Sequence, residues 1–166
     1  MTASLLDDAM AHHIWATERL IDACGDLTPE QLATPIPATY GSIADTFRHL
    51  VSTDCWYLTF FRDEPQRLEE GTQASLGELR AAITDNGREW MELLAAGVDG
   101  EADVVEDGDG WKFHSPKGFR LAQVVQHGTD HRSQICTALS SLGVEPPPID
   151  LWAFGEATGR TRGEDL

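Results

Sequence analysis

Apolar residues recur at helical spacing along four segments of the chain, and each segment has a recognisable start or stop. The first runs from about Ser4 to Cys24, with Leu5, Met10, Ile14, Leu20 and Ile21 as its apolar positions. "GDLTPEQL" ends it and begins a short turn of helix. The second begins near Ser42, a good N-cap after Gly41, and runs to about Arg62 before Pro65. The third starts at Ser75, with Glu78 placed as in a capping box, and stops near Gly97. The fourth spans about Leu121 to Leu142 and ends at Gly143. Before it, "ADVVEDGDGWKFHSPKGF" carries two short β-prone runs around Asp107-Gly108-Asp109-Gly110, the pattern of a small hairpin. After "EPPPID", the run "LWAFGEATGR" predicts one last short helix against the rest. Four amphipathic helices with one small hairpin between the third and fourth predict an all-α four-helix bundle, and connections too long for simple helical hairpins point to a crossover topology.

Composition narrows what such a bundle does. The 166 residues show no repeat and no linker long enough to separate domains, so residues 1–166 are expected to form a single one. No apolar run approaches the ~18–20 residues that span a bilayer, and "MTASLLDDAM" lacks the basic flank of a secretory signal, so a cytoplasmic protein is expected. Cys24, Cys55 and Cys136 are widely spaced and form no CxxC pair, which suits small buried residues in a reducing compartment. The formal net charge is −16. Such a surface repels phosphate backbones and anionic lipid, which argues against nucleic-acid and membrane partners, and it favours capture of cations.

That preference gives weight to the histidines. "QHGTDHRSQI" places His127 and His131 four apart on the fourth helix, hence about 40° apart on one face, where they can share an ion. Val124, Ile135, Leu139 and Leu142 form the buried stripe of that helix, and the two histidines lie at its edge beside Ala138. On the second helix Ile43, Phe47, Leu50, Val51, Leu58 and Phe61 form the main stripe. His49 falls on another face with Thr53, Trp56 and Phe60, as in the wall of a cleft. Three neutral imidazoles on facing helices would bind Zn²⁺ at about 2.1 Å and leave positions open for water or substrate. The residues alone leave a plainer reading open, in which these are edge histidines of a purely structural bundle.

Other residues are set against that cluster. His12 and His13 diverge by about 100°, so both cannot face one ion, and surface or core-edge positions are expected for them. His114, in the hairpin, is a weaker fourth candidate. HGTDH is not HExxH, because Gly128 stands where the glutamate would, and no Glu-x-x-His pair supports a carboxylate-bridged di-iron centre. Asp130 points away from the histidine face, and Arg132, about 100° from His131, suits an ordinary ion pair better than a substrate anchor. Asp45 and Asp54 fit a surface position or a buried partner equally.

Three stretches, "HHIWATERLIDACGDLTPEQL", "GSIADTFRHLVSTDCWYL" and "VVQHGTDHRSQICTALSSLGVEPPPIDLWAF", together resemble the DinB-like, or YfiT-like, family of metalloenzymes over most of the chain. The resemblance implies a bundle of up-down-down-up order, commonly dimeric, with a divalent ion such as zinc or nickel. The family's ligands carry over onto His49, His127 and His131. Many members have glycine where Ser133 stands, a position that projects away from the ligand face. Some relatives are thiol transferases using glutathione, bacillithiol or mycothiol, including mycothiol-dependent maleylpyruvate isomerase. The expected function is therefore metal-dependent thiol S-transfer, acting on a small-molecule thiol and an electrophilic substrate. A coordinated thiol loses its proton, so no protein base is required. Trp56, Phe60 and Trp15 are expected to line the electrophile's pocket. A non-catalytic metal-binding or ligand-sensing stress-response bundle is the alternative from another class.

Overall fold

Capping side chains set where three of the helices begin. In a computed structural model that describes residues 5–164, helix α2 (Pro29–Ala33), α3 (Ile43–Leu58) and α4 (Leu76–Ala96) each open on a reciprocal capping box. The hydroxyls of Thr28, Ser42 and Ser75 accept from the backbone N–H three residues on, and Gln31, Asp45 and Glu78 accept in return. The first helix, α1 (Leu5–Ala23), is described from Leu5, so the expected start at Ser4 lies outside the described residues. The remaining elements are strands β1 (Asp103–Gly108) and β2 (Trp111–Pro116), the long α5 (Lys117–Ser141) and the short α6 (Leu151–Thr158).

Two helix ends differ from the periodicity. Helix α3 stops at Leu58 rather than near Arg62, because the chain tightens into i to i+3 bonds at Thr59, Phe60 and Phe61 before Pro65. Helix α5 begins at Lys117, four residues before Leu121, since the hairpin feeds straight into it. The Lys117 and Gly118 amides donate to the carbonyls of Ala102 and Gly100, which ties the hairpin base to the helix start. Within the hairpin the strands pair antiparallel from Asp103 opposite Pro116 to Gly108 opposite Trp111, leaving Asp109-Gly110 as a two-residue turn. Gly110 takes φ 80°, a backbone state that favours glycine.

The described chain is mostly helical, with six helices and this one sheet. Helix α1 packs on α4 and α5, and α3 packs on the same two, which closes a ring of four long helices. Arg80, early in α4, bonds Glu18 and Asp22, late in α1, so those helices run in opposite directions. Arg48 reaches the Ala74 carbonyl and Arg62 reaches Glu89 and Glu92, so α3 and α4 run in the same direction. His49 meets His131 while Arg120 lies over Phe60, so α3 and α5 are opposed. Inside the ring Leu20, Phe47, Leu50, Ile83, Trp90, Ile135 and Leu139 are buried completely. No described helix is long and apolar enough to cross a membrane.

A polar network crosses this core, and it corrects two expectations. His13, expected at the surface or core edge, is fully buried, and Arg132, expected in an ordinary ion pair, is 2% exposed. Arg132 donates to His13 Nδ1 at 2.8 Å, to the His13 carbonyl at 3.3 Å and to the hydroxyls of Thr17 and Thr129. The reason is rotational: about 100° from the ligand face of α5 is the face turned to α1. His13 Nε2 lies 3.3 Å from Asp54 Oδ1, a close pairing that does not form a hydrogen bond. Asp54 is thus a buried partner, and it also accepts from Asn86 Nδ2 and Trp90 Nε1. Asp45, by contrast, is exposed and serves as the return arm of the Ser42 cap.

Candidate metal centre

Packing of α3 against α5 brings His49 to the pair His127 and His131. Each of the three offers one ring nitrogen, and these atoms all lie within 4.8 Å of one another. The ring centroids are 4.4 Å apart for His127 and His131, 4.8 Å for His49 and His131, and 5.1 Å for His49 and His127. His127 Nε2 and His49 Nε2 face each other across 3.2 Å. Two imidazole lone pairs aimed at each other repel unless a proton or a cation sits between them. Bonds of about 2.1 Å at near-tetrahedral or right angles would set neighbouring ligand nitrogens about 3.0–3.4 Å apart, so the observed pair already stands at a ligand bite.

The outer nitrogens explain that orientation. His49 Nδ1 lies 3.2 Å from Glu70 Oε1, and His131 Nδ1 lies 3.2 Å from Gln134 Oε1. Both oxygens accept, so each Nδ1 carries the hydrogen and each Nε2 lone pair is turned inward. Glu70 is fixed in turn by the Ser52 hydroxyl at 2.7 Å. Gln134 Oε1 also accepts from the Tyr40 amide at 2.9 Å. The Tyr40 ring stacks on His49, with centroids 4.1 Å apart and planes 13° from parallel, and meets His131 edge-on at 5.4 Å. This placement follows a left-handed turn at Ala38, φ 65°, two residues earlier.

Electrostatics favour the neutral form of the two α5 histidines, which leaves them lone pairs to donate. Burial, and then repulsion from His131 and His49, push His127 down to about 4. Burial and His49 lower His131 as well. Burial works to raise the Glu70 carboxyl, but hydrogen bonds from Ser52 and His49 outweigh it and hold Glu70 below the usual carboxylate range. Desolvation, then the Glu70 charge, raises the Tyr40 phenol. An all-nitrogen donor set of imidazoles suits a borderline divalent cation and leaves hard, oxygen-seeking ions poorly served.

The profile of the DinB family matches residues 1–164. The chain belongs to the DinB family. Curated proteins give no match to it.

In this DinB-family protein the aromatic residues expected near the site separate into two groups. Trp56 lines a pocket of about 230 Å³ together with Ser52, Thr53, Gln66 and Glu70. Phe60 packs edge-on against Trp56 at 4.7 Å and carries the Arg120 guanidinium over its face at 3.9 Å. Trp15 goes elsewhere: its face of α1 is turned to α6, where it packs against Phe154 and His12. His12 is held by the Ile149 carbonyl at 2.7 Å, and His114 pairs with Asp103 in the exposed hairpin, so neither joins the cluster. Asp130 accepts from Gln126 at the surface, and Ser133 is exposed. The three cysteines are free; Cys24 and Cys55 are buried and Cys136 half-buried.

Sequence reasoning missed Glu70, Gln134 and Tyr40 in this DinB site. Gln134 had a readable signal, since it stands three residues after His131 on the same helix, within reach of that ring. Glu70 and Tyr40 sit in loops and carry no periodicity that could have pointed to them.

Proposed function

We propose that this DinB-family protein is a divalent-metal-dependent enzyme, a thiol S-transferase that joins the sulfur of a low-molecular-weight thiol to an electrophilic carbon. The convergence of three inward-turned imidazole nitrogens across α3 and α5 carries the proposal. His49, His127 and His131 would hold the ion, with zinc or nickel best matched to their chemistry. When bound, such a cation supplies Lewis acidity that favours thiolate over thiol at neutral pH. The thiol proton passes to solvent, the sulfur forms a bond to carbon, and the leaving group departs with its electron pair. Glu70 is committed to His49 and Ser52, and the scheme asks no side chain for a base.

The other residues orient and shield. Glu70 and Gln134 lock two of the three rings, and Tyr40 stacks on His49 and meets His131 edge-on. Trp56 and Phe60 offer an aromatic wall for the organic portion of a substrate. We read the whole of residues 1–166 as one unit, and the ring of long helices as an up-down-down-up bundle, which the two opposed pairings and the one aligned pairing support.

Metal analysis of purified protein is the first test. About one ion per chain, lost in His127→Ala, is expected. Conjugation of a panel of thiols to monochlorobimane is then compared in loaded and chelator-stripped protein, with turnover only in the loaded form. An ion without turnover of any thiol would leave a non-catalytic metal-binding or ligand-sensing bundle, and no ion would leave a structural one.

A further inference from the structure

We propose that the pocket between Trp56 and Glu70 recognises a protonated amine, so that the thiol used by this site is a short aminothiol rather than an acidic one. The second half of that statement rests on the thiol-transferase reading; the first does not. Ser52, Thr53 and Trp56 follow His49 by one and two helical turns, so they continue its face of α3 and open the pocket directly beside the histidine cluster. Glu70 belongs to both places, because the carboxylate that touches His49 Nδ1 also lines the pocket.

The lining decides the charge of the guest. It consists of one carboxylate, one indole, two hydroxyls and one amide, with no lysine or arginine among them. The nearest cations are spent elsewhere. Arg48 bonds Asp45 and the Ala74 carbonyl, and Arg120 bonds Ser115 and Glu106 and lies over Phe60 at 3.9 Å and, further off, over the Trp56 ring at 5.9 Å. The Gln66 amide N–H groups already donate to the carbonyls of Ser52 and Leu68. A guest carboxylate would therefore meet Glu70 with no lysine or arginine in the lining to offset it, and with the adjacent Arg120 already paired to Glu106. A guest ammonium would meet the opposite case. A carboxylate has about four lone-pair positions, and the Glu70 side chain is 60% exposed, so it can accept a further charge-assisted hydrogen bond from the ammonium while the guest's carbon atoms rest beside the Trp56 indole. The chain's net charge of −16 favours the same sign of ligand.

Two measurements test this on the full chain. In the first, ethylammonium and propionate are titrated separately into ¹⁵N-labelled protein without metal. Ethylammonium should move the Trp56 indole N–H signal, assigned by its loss in Trp56→Phe, and propionate should leave it in place. Thr53→Lys, which brings an ammonium into the pocket on an otherwise permissive helical position, should abolish the shift. Absence of an ethylammonium shift, an equal shift with propionate, or a shift that survives Thr53→Lys overturns the pocket assignment. In the second, Co²⁺-loaded protein is titrated with cysteamine, 2-mercaptoethanol and 3-mercaptopropionate, read by the sulfur-to-cobalt charge-transfer absorbance. Cysteamine should bind roughly ten-fold more tightly than 3-mercaptopropionate, and the ratio should collapse in Thr53→Lys. Equal or inverted affinities overturn the aminothiol preference. If no thiol produces the band while ethylammonium still shifts Trp56, the transferase reading fails, the aminothiol preference goes with it, and the amine pocket stands.

Discussion

Replacing Gly128 with alanine should destabilise this protein, although the same exchange in an open helical position stabilises by about 1 kcal/mol. A Cβ at residue 128 would stand 2.2 Å from His13 Nδ1, 2.3 Å from His13 Cε1 and 2.7 Å from an Arg132 guanidinium nitrogen. None of these is a free end. His13 is fully buried, gripped by Arg132 on one nitrogen and set against Asp54 on the other. Room must come from displacing the imidazole or from moving α1 and α5 apart. Overpacking of this kind costs about 1–3 kcal/mol, and weakening a hydrogen bond to a charged group adds about 1.5–3 kcal/mol. After the propensity gain, a net loss of about 2–5 kcal/mol remains. For a domain of this size each kcal/mol lowers Tm by roughly 2–4 °C, so a fall of about 4–20 °C is expected. The assay is thermal unfolding of metal-free protein followed by circular dichroism. Gly77→Ala is the control, because nothing lies within 4 Å of its would-be Cβ on α4, and it should melt at or slightly above the parent. A Gly128→Ala protein that melts as high as the parent refutes the close-contact reasoning.

Three further outcomes follow from the same geometry. Glu70→Ala should weaken ion binding by about 10–100-fold in chelator competition, because His49 loses the acceptor that fixes its ring; unchanged affinity removes Glu70 from the support of the site. Metal-free protein should lose stability as pH falls from about 6.5 towards 4. In that window the unfolded chain takes up a proton that His127, pushed down to about 4 by burial and its neighbouring imidazoles, refuses. Because the ring is only half-buried, the loss is held to about 2 kcal/mol at most, and denaturation midpoints that are flat across the window count against it. Cys24, whose thiol burial drives up to about 12, should resist a disulfide reagent at pH 8 until guanidinium is added, so early labelling at that position on peptide mapping contradicts its burial.

The residues that could be read from the chain are those whose placement a single helix decides. Ser42 and Ser75 announce helix starts because a cap is a local bond, and α1, α3, α4 and α5 are visible because each buries one stripe. His127 and His131 share a face for the same local reason, and His49 could be chosen by its separation from the main stripe of α3. Glu70 had no such mark. It lies in the segment between α3 and α4, where Gln66 turns the chain back by bonding the carbonyls of Ser52 and Leu68. Trp15 shows a different limit: its place on α1 was readable, but which neighbour it meets was decided by α6.

The buried network shows why rotation on a wheel is not enough. On their own helices His13 reads as a surface or core-edge residue, Arg132 as half of an ordinary ion pair and Asp54 as surface or buried alike, and only the meeting of α1, α3 and α5 turns them into one contact set. Gly128 is the residue that permits it, since its missing side chain is the space His13 occupies. It also lies between the two histidines that α5 contributes to the candidate metal centre. One helix register therefore serves two purposes: it turns His127 and His131 to α3, and it turns Gly128 and Arg132 to α1. A substitution that rotates or shifts α5 to relieve the core must move both of these histidines with it. Loss of stability and loss of ion affinity should then rise together along a series at residue 128 of alanine, serine and valine, while variants at the exposed Ser133 leave both unchanged.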